Sequence, residues 1–355
     1  MSSYIMTVLG PVGAEELGVV DAHSHLYIAP VAGGAADAPV LTDEAGVERE
    51  LIAFRAAGGG AVVDCQPGGC GRDGRVLRRL AERSGVHVVA ATGCHRRIYY
   101  PPDAPLFGLS ATTAADYFRA EIDYGLEETR GEDDRPQTTD YRRQTTDHGR
   151  PTAGNGNQEA VVRGPSSVVY PGVIKLAAEA TLAASPVAVF EAAAAVARET
   201  GYAIEVHTER GAAVEELLAF FGGQGLSPRR LVFCHVDKRP DFGLHRELAR
   251  AGVMLEYDTF FRPKYAPERG VWPLIREMAA AGLAGQVALA TDMADAALWV
   301  ELGGAPGLLG FFTIVRDGLA RLGLPAETIG GLMGRNIGKR LEIEELEPRD
   351  LRLGD

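Results

Sequence analysis

Six residues far apart in the chain occupy the same kind of position. His23 and His25 lie two apart in VDAHSHL (20–26), Lys175 in YPGVIKLAA (170–178), His207 in IEVHTERG (204–211), His235 in VFCHVDKRPD (232–241) and Asp292 in ALATDMAD (288–295). Each comes at the C-terminal end of a short apolar run. Residues two apart on a strand point to the same face, so His23 and His25 are set side by side and Ser24 turns away. Imidazoles and a carboxylate gathered in one place suit a divalent transition metal such as zinc. The other histidines, His87, His95, His148 and His245, fall at a strand start, in loops or on a helix. Lys175 is the odd member, because an ammonium would be repelled by metal cations. Either it snorkels or pairs with Glu179, or it is not a cation.

The elements that must position these residues are eight apolar, strand-like runs at 17–26, 60–65, 86–93, 170–178, 202–208, 230–236, 253–259 and 286–293. Helix-patterned segments separate them, starting at Asp43, at Ser185 (Ser185 as N-cap, Pro186 in the first turn, Gly201 as stop) and at Glu209. Strands apolar nearly throughout, each followed by a helix, imply a parallel sheet covered on its faces, and eight such units predict a (β/α)8 TIM barrel. A doubly wound open sheet is the competing arrangement. Donors drawn from the C-terminal ends of many strands favour the barrel, since an open sheet concentrates its site at one switch point. The whole chain, 1–355, is expected to form one domain. A polar, low-complexity insertion at 129–167 interrupts it, with QTTDYRR echoed by QTTDHGR, and is expected to be mobile. Gly69, Gly71 and Gly74 have GxGxxG spacing, but Gln66 to Gly68 separate them from the strand, so they read as a tight loop and not as a dinucleotide site.

A net charge of -12 repels a phosphate backbone, which argues against nucleic acid as a partner. Cys65, Cys70, Cys94 and Cys234 form no CxxC pair and read as buried thiols in a reducing compartment. The N-terminal stretch lacks a basic region and is broken by Gly10, Pro11 and Gly13, and no apolar run reaches membrane-spanning length. The expectation is a cytoplasmic protein with no membrane partner.

The set of six resembles the phosphotriesterase-related branch of the amidohydrolase superfamily, in which an HxH motif follows strand 1, a lysine ends strand 4, histidines end strands 5 and 6, and an aspartate ends strand 8. TVLGPVGAEELG, GGCGRDG, GVIK, HTERG, HVDKRPD, LEYDTFFRPKYAPE and TDMA are similar to its recurrent segments. Ser24 departs from the glutamate found there in many members. The resemblance implies a hydrolase with two divalent metals (zinc, with manganese, cobalt or iron as alternatives) bridged by an N6-carboxylated Lys175. It places His23, His25 and Asp292 on the buried metal and His207 and His235 on the exposed one. Burial of Lys175 among apolar neighbours would lower its pKa and free the amine to react with carbon dioxide. Water shared by the two ions would be deprotonated near neutral pH and attack a carbonyl or phosphoryl centre, with Asp292 taking the proton.

The loops after the strands hold the substrate in such a barrel. They carry Arg96, Arg97, Tyr99, Tyr100, Lys238, Arg262, Lys264 and Tyr265, cations at one rim of an acidic protein, which point to an anionic substrate. Lys238, Arg262 and Tyr265 resemble the phosphate clamp of relatives that open phosphorylated sugar lactones, and Tyr99 is a fourth substrate-binding candidate. The expected activity is therefore a lactonase for an anionic, phosphorylated sugar lactone. The alternatives are hydrolysis of acyl-homoserine or other lipophilic lactones, of N-acyl amides or of phosphotriesters, and a metal-holding binder without turnover. The family resemblance also implies a homodimer.

Overall fold

The structure, a computed structural model, describes residues 3–131 and 167–344. The polar stretch expected as an insertion thus lies outside the described residues except for its ends. Thr129 is buried in a 3-10 turn, Glu127–Thr129, where its hydroxyl donates to Leu126 O (2.9 Å) and accepts from Val169 N (3.0 Å).

Strands β1 (Ser3–Thr7) and β2 (Gly10–Val12) pair antiparallel, and β11 (Ile343–Glu344) joins β1 on its other side. Between them come β3 (Val19–Ser24), β4 (Gly59–Asp64), β5 (His87–Gly93), β6 (Val173–Ala177), β7 (Ile204–His207), β8 (Leu231–Cys234), β9 (Met254–Tyr257) and β10 (Val287–Leu289). These eight are parallel, and their order in the sheet is their order in the chain. A doubly wound sheet would reverse its order at one point, and this one does not. The two edge strands meet through residues just beyond β10, which bond to β3: Asp292 N donates to His23 O (2.8 Å) and Thr291 N to Asp21 Oδ1 (2.9 Å). The architecture is the expected barrel, nearly closed. Its interior is filled by small and β-branched side chains, among them Val20, Ala22, Val63, Ala91, Val173 and Val232.

Helices α1 (Glu44–Ala56), α2 (Gly74–Ser84), α3 (Ala111–Tyr124), α4 (Val187–Thr200), α5 (Val214–Gly223), α6 (Phe242–Ala251) and α7 (Val271–Ala280) lie between the strands. Asp43, Asp73, Ser110 and Asp241 cap α1, α2, α3 and α6 by accepting backbone N–H bonds. Two helix starts differ from the sequence expectation. Ser185 does not cap α4; Pro186 stands at that position, and the serine hydroxyl donates instead to Thr181 O (2.9 Å). Helix α5 begins at Val214 and not at Glu209, because Arg210 and Ala213 both take a left-handed φ of 57°. Among the described residues, no helix is long and apolar enough to cross a membrane.

Candidate active site

All six singled-out residues converge at the C-terminal end of the barrel. His207 is the last residue of β7, and His25, His235 and Asp292 fall just beyond their strands. Lys175 is in the middle of β6 and is fully buried. It is accommodated by Gly93 on the neighbouring strand, where any Cβ would come within 1.9 Å of Lys175 O.

Strict alternation would not have brought His23 here. Val20 and Ala22 face the barrel interior, so His23 should face outward. The β3–β4 register shifts between Asp21 and Ser24, where three steps on β3 oppose two on β4. This bulge re-aims the end of the strand and turns both imidazoles inward. His235 (φ 63°) and Asp292 (φ 48°) also hold left-handed backbone, a costly conformation for non-glycine residues that concentrates at functional sites.

Two of the four imidazoles are braced by a hydrogen bond on Nδ1, those of His25 and His235, and a third, His23, has a carboxylate beside it. His25 Nδ1 donates to Gln66 Oε1 (2.8 Å), His23 Nδ1 faces Glu256 Oε1 at 2.9 Å, and His235 Nδ1 bonds Asp258 Oδ2. Bracing of this kind orients a metal-ligating histidine and leaves its second nitrogen free. His23 Nε2 and His25 Nε2 lie 3.9 and 3.8 Å from Asp292 Oδ1, and ligand atoms of His23, His235 and Asp292 all fall within 4.8 Å of one another. His207 Nε2 is buried without a hydrogen-bond partner. Burial lowers the pKa of all four, that of His25 to about 4, so the rings are neutral at neutral pH, as metal ligands must be. Burial is the largest single influence on Asp292 and works against its charge, but Arg262, His235 and Lys238 together outweigh it and hold the carboxyl below its usual range. Neutral ring nitrogens gathered around an ionised carboxylate, that of His207 without a partner, fit a divalent cation.

Lys175 corrects one expectation. Its Nζ lies 3.3 Å from His23 Nε2 and 3.7 Å from Cys234 Sγ, and Glu179 is occupied elsewhere, by Arg96 at 2.9 Å. Its surroundings are not apolar. Burial opposes its charge, but Cys234, Cys65, Glu205 and Glu256 reverse that, and the ammonium is held above its ordinary range and not below it. Glu205 and Glu256 were visible in IEVH and LEYD as charges inside strands, and Asp258 as the next alternate residue.

Above the donors opens a cavity of about 380 Å³. Tyr99 lines it, while Lys238, Arg262 and Tyr265 are not among its lining residues. Those three group beside Asp292: Arg262 Nη2 is 3.0 Å and Lys238 Nζ 3.9 Å from Asp292 Oδ2, and Lys238 Nζ stands 5.6 Å from the Tyr265 ring centroid. Arg262 also donates to the carbonyls of Asp258, Thr291 and Asp292. Arg96 is held between Glu179 and Glu209, so its charge is matched within the protein. The sequence reading missed the largest share of the wall, residues 28–40. Ile28, Pro30, Val31, Ala36, Pro39 and Val40 from this loop make one side of the cavity apolar. It missed Gln66 and His95 as well. The signal for His95 was its position two residues beyond a strand, the same as that of Asp292 or nearly so.

The family model for the phosphotriesterase family matches residues 3–131 and 165–326. A phospho-furanose lactonase of Mycoplasmopsis agalactiae is 25% identical over 277 residues, covering 75% of this chain and 69% of that protein. An N-acetyltaurine hydrolase of Tetraodon nigroviridis is 27% identical over 292 residues, covering 73% and 72%. The solved structure of a lactonase from Listeria monocytogenes superposes with a TM-score of 0.79 at 18% identity, covering 97% of this chain and all 100% of the other, and shares the fold. This chain belongs to the phosphotriesterase family and is a hydrolase.

Proposed function

We propose that the protein is a two-metal lactonase whose substrate carries an anionic group, a phosphorylated sugar lactone being the leading case. The observation that carries the metal site is the convergence of His23, His25, His207, His235 and Asp292, two of the imidazoles each braced by a hydrogen bond on Nδ1. His23, His25 and Asp292 would hold one divalent ion and His207 and His235 the other, with an N6-carboxylated Lys175 between them. Zinc suits this donor set, and manganese, cobalt or iron would be accepted by it. When bound, such a pair lowers the pKa of water and polarises a carbonyl oxygen.

The protein's own part is to orient and to move protons. Gln66 and Asp258 hold the rings of His25 and His235 through Nδ1, and the Glu256 carboxylate lies beside His23 Nδ1. Asp292, kept ionised with Arg262 beside it, would accept a proton from the attacking water and return it to the leaving alkoxide. Carboxylation of Lys175 must first remove a proton from an ammonium that Glu205 and Glu256 stabilise. Two cations held nearby would favour that exchange of charge.

The preference for an anion rests on Lys238 and Arg262 beside Asp292, together with the name of the Mycoplasmopsis relative. The apolar 28–40 wall favours a second reading, an N-acyl amide or lipophilic lactone with its apolar part on that wall. A pH-indicator screen of metal-loaded protein against phosphorylated sugar lactones, plain sugar lactones, acyl-homoserine lactones and N-acyl amides decides between them. Fastest acid release from the phosphorylated lactones is expected. Turnover confined to the lipophilic or amide arms would replace that substrate, and no acid release from any arm would remove the hydrolytic reading. A homodimer is proposed as the assembly, to be read from light scattering.

A further inference from the structure

His95 is a fifth histidine in the cavity and has no part in the donor set above. It follows β5 in the loop that also carries Tyr99, is buried, and lines the cavity with His25 and His207. Its ring centroid lies 6.3 Å from that of His25, 5.3 Å from that of His207 and 4.9 Å from that of Tyr99, which it meets edge-on. The segment is anchored at its backbone, since His95 N donates to Tyr100 Oη (3.0 Å). What sets His95 apart is the direction of its bracing. Arg96 N donates to His95 Nδ1 at 2.7 Å, so Nδ1 must be an acceptor. A neutral imidazole carries one N–H, and with Nδ1 accepting, that proton sits on Nε2.

His25 is the opposite case. Its Nδ1 donates to Gln66, so its Nε2 presents a lone pair. The two neighbouring rings thus offer complementary chemistry to one cavity: His25 an electron pair suited to a cation, His95 an N–H suited to an oxygen. An Nε2–H ring cannot ligate a metal through Nε2 without losing that proton.

We infer that His95 is a substrate-binding hydrogen-bond donor, locked in the Nε2–H form by the Arg96 backbone N–H, that contacts a carbonyl or hydroxyl oxygen of the substrate. This rests on the hydrolytic reading for the substrate oxygen, but not for the state of the ring. A donor fixed in advance costs nothing to orient when the substrate arrives, and it selects against substrates that present a hydrogen or a cation at that point.

The test has one arm independent of turnover. In ¹⁵N-histidine-labelled protein, with and without zinc, long-range ¹H–¹⁵N correlations assign the His95 ring by its loss in His95→Gln. The expected pattern is a protonated Nε2 and a bare Nδ1 in both samples. The reverse tautomer, or a zinc-induced shift showing Nε2 ligated, would overturn the inference whatever the protein hydrolyses. The second arm compares His95→Phe with His95→Gln, whose side-chain amide keeps an N–H at the same reach, on the best substrate of the lactone and amide panel. His95→Phe should lose about tenfold in kcat/KM at unchanged metal content, and His95→Gln should recover most of it. Equal loss in both variants, or loss of metal in His95→Phe, would contradict a donor role. If wild-type protein releases no acid from any substrate, the hydrolytic reading fails, and the tautomer alone then decides the assignment of the ring.

Discussion

The floor and the wall of the cavity are built on different principles. On the floor, His23, His25 and His235 come from or just after strands; Gln66 and Asp258 hold the last two by hydrogen bonds, and the buried Glu256 stands beside His23. On the wall, residues 28–40 form an irregular loop of small apolar residues, tied back by the Ile28–Leu41 bridge and by Ala35 N to Ile98 O (2.8 Å). The floor positions its rings with buried polar contacts, while the wall offers shape and apolar area. In a barrel enzyme this division separates what performs the chemistry from what selects the substrate.

The floor can be broken most severely at Lys175. Lys175→Ala should lose metal and turnover by more than the roughly 10–100-fold typical of changes to outer partners, with partial rescue by short-chain carboxylic acids. Metal analysis with an acid-release assay checks this, and unchanged turnover would refute the bridging role. Next comes a brace. Asp258→Asn leaves every proposed ligand in place yet removes the carboxylate from His235 Nδ1, and metal affinity should fall about 10–100-fold. Competition with a chelator measures it.

Arg262 stands where floor and wall meet, and it separates two roles. If it clamps an anionic substrate, Arg262→Met raises KM for a phosphorylated lactone by about tenfold or more and leaves the unphosphorylated analogue nearly unaffected. If its contact with Asp292 Oδ2 at 3.0 Å is what matters, kcat falls for both substrates alike.

The smallest effect is on stability. Asp64 accepts from Leu26 N (2.7 Å) and Gln66 N (3.1 Å), pinning the chain just past His25, and burial raises its pKa to about 7 from 3.8. The folded state therefore binds this proton more tightly than the unfolded state does. The stability that Asp64 contributes is complete below about pH 4 and is lost as pH rises toward 7. Asp64→Asn, which is neutral at every pH, should accordingly cost metal-free protein more stability at pH 5 than at pH 8, as read by denaturant unfolding. A pH-independent difference would contradict the raised pKa.

The same division explains what the sequence disclosed. The barrel and the convergence of the six residues were legible because apolar strands ending in polar residues leave a local, repeated pattern, from His23 to Asp292. The bulge between Asp21 and Ser24 left no such trace, and alternation from Val20 alone would have sent His23 the wrong way. The surroundings of Lys175 were misjudged because Glu205 and Glu256 reach it from other strands, a fact of packing and not of spacing. The 28–40 wall was invisible because Ala, Pro and Gly at a loop have no pattern that marks a cavity, and its role depends on where the loop folds back.

The most direct test of the two-metal account is a titration of metal-free protein with zinc in the presence of bicarbonate, following turnover of the best lactone against bound metal. The account predicts that activity rises until about two ions are bound per chain and then levels off. Full activity at one ion per chain, or activity indifferent to metal, would contradict it.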